Sequence, residues 1–388
     1  MRGDLQEIPR AAAPARPFPA ADTVCQPRSI QCGASHVQNA IKAVEKITGA
    51  SSMVDEQIWR ELGNCLTETD LGLGKRTVGK VRDTYDLGDK LLIVTTDRLS
   101  AFDRVLTAIP FKGQVLNQTS AWWMSHCADI VPHALLRVPH PNVAIMRKCQ
   151  VFPVEFVVRG FLTGNTDTSL WTHYNRGERS YCGHSFPDGM QKNQRLPRNV
   201  LTPTTKAVDH DVPISAADIV DQGLMTQQHW DQASSMALAL FEEGQREALT
   251  RGLLLVDTKY EFGLSPEGNV LVVDEVHTPD SSRYWLADSY EARHAAGEEP
   301  QSIDKEFLRL WFREHCDPYN DEVLPQAPTD LTMELSRRYM MLYETITDEV
   351  FSPTPFDIHQ LKADVGATLQ FMNIERARKR SQSRQQQQ

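Results

Sequence analysis

The sequence predicts an α+β protein. Three observations carry this reading: strand–turn–strand patterns at 78–96 and 253–276, a continuous apolar strand at Val151–Val158, and a long amphipathic run at 226–251. The chain has 388 residues, enough for two or three domains or for one two-lobed enzyme with tails. Hydrophobic residues make up 40% and charged residues 24%, which suits a sizeable core. No stretch of about 18 apolar residues occurs, so no membrane span is expected. The net charge of -10 argues against nucleic-acid partners, which favour basic surfaces. It leaves room for a small phosphorylated ligand in a local basic pocket. The seven cysteines are scattered and form no C-x-x-C, which points to a reducing compartment rather than to disulfides or a zinc site.

The elements follow in chain order. Residues 1–52 read as a disordered leader, with an Ala/Pro-rich stretch at Arg10–Ala21. Arg2, Arg10, Arg16 and Arg28 fit a transit peptide, whereas Asp4, Glu7 and Asp22 speak against one. Residues 78–86 and 90–96 flank Leu87-Gly88-Asp89 and form the first hairpin. Just before it, Gly74-Lys75-Arg76-Thr77-Val78-Gly79-Lys80-Val81 nearly matches a P-loop. Val81 lacks the hydroxyl such a loop gives to Mg2+, and a strand follows where a P-loop opens a helix. Two readings stay open: a hairpin whose Gly79, Lys80 and Arg82 cover a phosphate, or a solvated edge hairpin.

Asp97-Arg98-Leu99-Ser100-Ala101-Phe102-Asp103 ends the next strand and reads as a capping turn or as a binding loop. Arg159 closes the strand containing Glu155 and needs an anion, either that glutamate or a ligand. A polar loop carries Thr202–Lys206 and Asp209-His210-Asp211. The helix 226–251 then places Met236, Leu240 and Phe241 on one face and stops at Gly252.

The second hairpin carries the strongest signal. Asp257, Lys259 and Glu261 share one strand face, and Asp274 and Glu275 follow the apolar run Val270–Val273. Charges in apolar strands need partners, so this is an Mg2+–nucleotide site or a salt-bridge network around Lys259. Turn length leaves the register open. The metal reading favours Phe262 opposite Leu271, with Glu261 and Asp274 on one face and Glu275 on the other. Thr278-Pro279-Asp280-Ser281-Ser282-Arg283 follows, as an anion clamp or a helix cap. Helices are expected near 302–316 and 329–348, then a basic, Gln-rich solvated tail at 376–388.

Six blocks together resemble one family. They are Gly79–Asp83, Asp97–Asp103, Pro153-Val154-Glu155 through Arg159-Gly160, Thr202–Lys206, Asp257–Gly263, and Asp274-Glu275 through Arg283. In this order they resemble the SAICAR synthetases (phosphoribosylaminoimidazole-succinocarboxamide synthases), in the longer form of plants and some bacteria.

The resemblance implies a two-lobed α+β fold, distantly similar to protein kinases, with ATP in the interlobe cleft. It implies an N-terminal lobe at 53–150 and a C-terminal lobe at 151–375. The implied reaction joins L-aspartate to carboxyaminoimidazole ribonucleotide (CAIR), with ATP going to ADP and phosphate, in purine biosynthesis. By position, Gly79, Lys80 and Arg82 would hold the ATP phosphates, and Glu261 and Asp274 would hold Mg2+–ATP. Lys206, Glu261 and Asp274 form the implied catalytic set. Arg98, Ser100, Asp103, Arg159, Asn165, Thr166, Asp211, Asp280, Ser281, Ser282 and Arg283 would surround the substrates. Asn165 departs from the family, which has serine there to help hold the substrate phosphate. A small-molecule kinase and a non-catalytic nucleotide-binding protein are the competing readings. The expected compartment is the cytoplasm, or a plastid if the leader is a transit peptide. The sequence does not indicate an oligomeric state.

Overall fold

The first hairpin forms and gains a strand. In the computed structural model, which describes residues 53–102, 104–206, 212–303 and 305–386, a short helix α1 (53–61) leads into β1 (Lys75–Val78), β2 (Arg82–Asp86) and β3 (Lys90–Thr95). Arg82 pairs with Thr95 and Asp86 with Leu91, and Gly88 turns the chain at φ 91°. A small ribbon of β4 (Arg98–Ala101) and β5 (Arg104–Ala108) precedes helix α2 (Lys112–His126). Then β6 (Leu135–His140) and β7 (Val143–Arg147) complete an antiparallel sheet in the order β1-β2-β3-β7-β6.

The second sheet is built around two long strands. The apolar strand expected at 151–158 is the middle of β8 (Gln150–Leu162). The following segment holds α3 (Leu170–Asn175), β9 (Ser180–Tyr181), β10 (His184–Ser185), β11 (Gln194–Leu201), β12 (Thr204–Thr205) and β13 (Val212–Pro213). After α4 (Ala216–Asp221) comes α5 (Gln227–Thr250), the expected amphipathic helix. Thr226 caps it by accepting from the His229 N–H at 3.2 Å. Gly252 ends it at φ 76°, a conformation that suits glycine. Met236, Leu240 and Phe241 are buried against the sheet.

The second hairpin is β14 (Leu253–Leu264) and β15 (Val270–Val272), and β16 (Ser282–Leu286) flanks β14 on its other half. Its register differs from the expected one. Phe262 faces Val272, not Leu271. The Ser265–Asn269 turn closes with a Ser265 N–H to Asn269 O bond of 2.8 Å, and that five-residue loop sets the pairing. The strand ends at Val272, so Asp274 and Glu275 lie beyond it and strand alternation no longer dictates their faces.

Helices α6 (Ala287–Ala295), α7 (Glu306–His315), α8 (Thr329–Thr347) and α9 (Ile358–Gln386) complete the chain. The last two pack against elements from the first part of the chain. Leu335, Tyr339 and Tyr343 of α8 pack with Val115 and Leu116 of α2. Leu361 and Val365 of α9 pack with Leu92, Val94 and Ile145 of the first sheet. The C-terminal end of the chain thus returns to the N-terminal lobe. α9 continues to Gln386, into the segment expected as a tail, through residues that favour helix. Among the described residues, no helix is long and apolar enough to cross a membrane.

Candidate active site

The floor of the site is the odd-numbered face of β8 and β14. Pairing sets Arg159 opposite Asp257, Val157 opposite Lys259 and Glu155 opposite Glu261. On the other side of β14, Arg283 stands opposite Asp257. One row therefore reads Arg159–Asp257–Arg283. The Arg283 guanidinium donates to Asp257 Oδ2 at 2.5 Å, and Arg159 lies 3.7 Å from the same oxygen. Arg159 also donates to Thr202 Oγ1 at 2.8 Å and to the Thr168 carbonyl at 3.3 Å. Its anion is Asp257 rather than Glu155.

Two glutamates directly opposite each other repel, and Lys259 resolves the conflict. Its Nζ lies 3.0 Å from Glu155, 2.8 Å from Glu261 and 3.7 Å from Asp274. Burial opposes its charge, but Glu261, Asp274 and Glu155 together raise its pKa well above the ordinary lysine value. Lys206, on the half-exposed rim, also pairs with Glu261. Glu261 and Asp274 thus meet at one ammonium, by a bend past the end of β15 rather than by the expected strand parity. The network around Lys259 and the carboxylate pair are one structure.

The first hairpin forms the roof. Arg82 reaches down to Glu275 at 2.6 Å and Asp274 at 3.6 Å. Burial works against ionisation of Asp274, yet Arg82 and Lys259 outweigh it and hold the pKa at about 2. Gly79 turns the hairpin, donating its N–H to the Arg82 carbonyl at 2.8 Å. A Cβ there would sit 2.8 Å from that carbonyl oxygen, so the turn needs glycine. Lys80 sits exposed at the tip.

Arg98, expected at the substrate, is engaged behind this turn. It donates to Gly79 O at 2.9 Å, Lys80 O at 3.2 Å and Asp83 at 2.7 Å. It shapes the hairpin from inside the lobe. Asp97 is a cap as well, accepting from Leu66 N–H at 2.7 Å and Gly113 N–H at 2.8 Å.

Asp280 is likewise held within the chain. Lys112 lies 2.7 Å away, Tyr339 donates at 2.6 Å, and Lys305 lies at 3.5 Å. Burial resists its charge, but Lys112 and Lys305 keep its pKa below the carboxylate range. Lys305 also donates to the Ser100 carbonyl at 3.2 Å, which brings that residue to the same wall. Ser282 lines the cavity beside Asp257 and shares a 2.7 Å hydroxyl bond with Thr258. Ser281, Arg283, Lys305 and Arg309 line a cavity beside Asp257. Arg283 borders a second cavity with Gly164, Asn165, Lys192 and Arg313. A narrow slot of about 30 Å³, lined by Ile93, Leu116, Ala144, Met146 and Val273 and by the polar Thr95, Asn117 and Ser120, leads to Arg82 and Asp274.

A SAICAR synthetase family model matches residues 75–326, which spans both sheets and the site apart from Tyr339. The chain belongs to the SAICAR synthetase family. It is 62% identical over 287 residues to the phosphoribosylaminoimidazole-succinocarboxamide synthase of Legionella pneumophila (strain Lens), covering 74% of this chain and 92% of the relative. It is 61% identical over 305 residues to the chloroplastic enzyme of that name from Arabidopsis thaliana, covering 77% of this chain and 74% of the relative. Among solved structures, the Saccharomyces cerevisiae SAICAR synthase complexed with SAICAR superposes with a TM-score of 0.65. Its identity is 30%, over 74% of this chain and 99% of that one. The α+β architecture is that of the SAICAR synthetases.

Within this SAICAR synthetase, Asn165 is exposed on the turn after β8. The Thr166 N–H and hydroxyl bond Ser169 Oγ at 3.0 and 2.7 Å. Gly164 makes the turn possible at φ 106°, and a Cβ there would lie 2.4 Å from Ser169 Oγ. Gly164→Ala should therefore lower stability by about 1–3 kcal/mol and raise the ribonucleotide KM. A thermal melt and steady-state kinetics check this. Asp103 and Asp211, also expected at the site, lie outside the described residues.

The sequence reading missed Lys112, Lys305 and Arg309. Lys112 had a usable signal: it follows the apolar run Ile109-Pro110-Phe111, where a charge needs a partner. Lys305 and Arg309 had none beyond their spacing of four at the start of α7.

Proposed function

We propose that the chain uses ATP to join the amine of L-aspartate to the carboxylate of CAIR, giving SAICAR, ADP and phosphate, as a ligase of purine biosynthesis. Family membership over both sheets carries this reading. The site chemistry agrees with it. A carboxylate is a poor electrophile. Its oxygen attacks the ATP γ-phosphorus, ADP leaves, and an acyl phosphate forms. The aspartate amine then attacks that carbonyl carbon, a C–N bond forms, and phosphate departs with the C–O bond. Such a sequence needs cations and positioning more than a protein nucleophile.

The residues divide that work. Gly79, Lys80 and Arg82 hold the ATP phosphates under the hairpin that Arg98 shapes. Arg159 and Arg283, with Asn165, Thr166 and Ser281, hold the ribonucleotide, while Lys305 and Arg309 add positive charge to its cavity. Lys206, paired with Glu261 on the rim, would touch the nucleotide or the aspartate. Among the described residues, no three His, Cys, Asp or Glu side chains form a metal cage by themselves. Glu261 and Asp274 nevertheless fit Mg2+, since both offer carboxylate oxygens beside the one ammonium of Lys259, and Mg2+ binds through one or two carboxylates plus phosphates and water. When bound there, Mg2+ would draw charge from the phosphate oxygens.

The kinase and non-catalytic readings are separated by one assay. ADP release should require ATP, CAIR and aspartate together. Robust ADP release from ATP and CAIR without aspartate would favour the kinase. For the compartment, the cytoplasm is proposed, with a plastid address in residues 1–52 as the alternative that the name of the Arabidopsis relative favours. Fluorescent fusions of the full chain and of residues 53–388 in plant cells distinguish them.

A further inference from the structure

The segment 273–281 links the two halves of the site. At one end, Asp274 and Glu275 face Arg82. At the other, Thr278–Arg283 forms the ribonucleotide wall. The segment leaves the strand at Val272, and backbone bonds tie only its ends to β14: the Val273 N–H donates to the Glu261 carbonyl at 3.1 Å, and the Lys259 N–H donates to the Ser281 carbonyl at 3.1 Å. The Val276 N–H donates to Ser120 Oγ at 3.1 Å, and the Thr278 hydroxyl bonds Glu275.

Between these ends, His277 points the opposite way, into the core. It is 0% exposed and adopts φ 51°, a left-handed conformation uncommon outside glycine. Four elements meet it there. The Tyr260 hydroxyl of β14 bonds its Nε2, and the Tyr284 hydroxyl of β16 donates to its carbonyl at 2.8 Å. Trp123 of α2 packs edge-on at 4.5 Å. On α5, Gly244 gives the ring its space: a Cβ there would lie 2.4 Å from His277 Cε1. Tyr260 sits one residue from both Lys259 and Glu261 but on the reverse strand face. The same strand therefore carries the carboxylate cluster in front and the histidine contact behind.

We propose that His277 is a positioning residue, which pins segment 273–281 so that the Asp274–Glu275 carboxylates and the Thr278–Arg283 wall keep one fixed spacing. A turn left-handed at residue 277 sends Glu275 toward Arg82 and the ring toward the core. Locking the ring locks that reversal. Backbone strain of this kind persists only where the surroundings over-determine it. The four contacts supply that constraint. His277 touches no reacting atom and acts through the segment alone.

The proposal rests on the ligase reading, and its test separates the two. In the full chain, Tyr260→Phe removes one oxygen behind the segment, His277→Asn keeps a residue that tolerates the left-handed conformation, and Gly244→Ala pushes on the ring. Each is measured at 25 °C, well below its melting point, for kcat, for Mg2+ dependence and for CAIR affinity by calorimetry without metal. We expect kcat to fall about tenfold or more, because small misplacements far from the chemistry are costly. The Mg2+ concentration for half-maximal activity should rise, and metal-free CAIR binding should weaken severalfold. Gly244→Ala should cost much less in the His277→Asn background, where its Cβ finds room. A purely structural histidine would lower the melting temperature and leave these readouts at wild-type values, and that result overturns the proposal. If His277→Asn does not fold, Tyr260→Phe decides by the same criteria. Wild-type ADP release without aspartate would instead overturn the ligase reading itself.

Discussion

Asp274→Asn should reduce turnover by at least about 10³-fold while the fold survives. Asparagine keeps the volume and loses the charge that Arg82 and Lys259 now share at 3.6 and 3.7 Å. Removing one preorganised electrostatic partner at a reacting centre typically costs about 10²–10³ in kcat. Loss of a carboxylate that would hold Mg2+–ATP should exceed that. The stability change has a definite sign. Asp274 has a depressed pKa of about 2, so its ionised form adds stability above the ordinary aspartate pKa of about 4 and loses it as pH falls toward 2. The variant should therefore melt somewhat earlier at pH 7, and the gap should close in acid. Steady-state kinetics with an Mg2+ titration, together with melts at two pH values, check both halves. Near-normal Mg2+ dependence in the variant would remove Asp274 from the metal site.

Arg283→Ala should raise the CAIR KM by about 2–4 kcal/mol, roughly 30- to 900-fold, and leave the ATP KM nearly unchanged. Arg283 borders both cavities beside Asp257, so its loss strips a charge-assisted partner from the ligand. Arg159→Ala should act on CAIR in the same direction and also cost stability. Its guanidinium is buried and donates to Thr202 and to the Thr168 carbonyl; its loss takes that donor from Thr202 Oγ1, while the Thr168 carbonyl keeps the Tyr181 hydroxyl at 2.7 Å. A rise in the ATP KM instead, with CAIR unaffected, would place these arginines on the wrong substrate. Both variants should lower the melting temperature, since each removes a cationic partner of buried Asp257.

Local pattern alone determined much of this protein. Alternation placed Asp257, Lys259 and Glu261 on one face, Thr226 and Gly252 bounded the long helix, and the order of six short blocks marked the family. These are properties of neighbouring residues, governed by strand alternation, helix periodicity and turn chemistry. Tertiary structure decided the rest. The register of the second hairpin came from a five-residue turn and a strand that stops at Val272, and parity cannot report where a strand ends. Arg98 and Asp280 carry charges whose partners lie far away in sequence: the turn carbonyls of Gly79 and Lys80 for one, Lys112, Lys305 and Tyr339 for the other. The return of α9 to the first sheet depends on which apolar face remains uncovered after both lobes form. A charge in the sequence announces that it needs a partner, and only the folded chain determines whether that partner is a ligand or another residue.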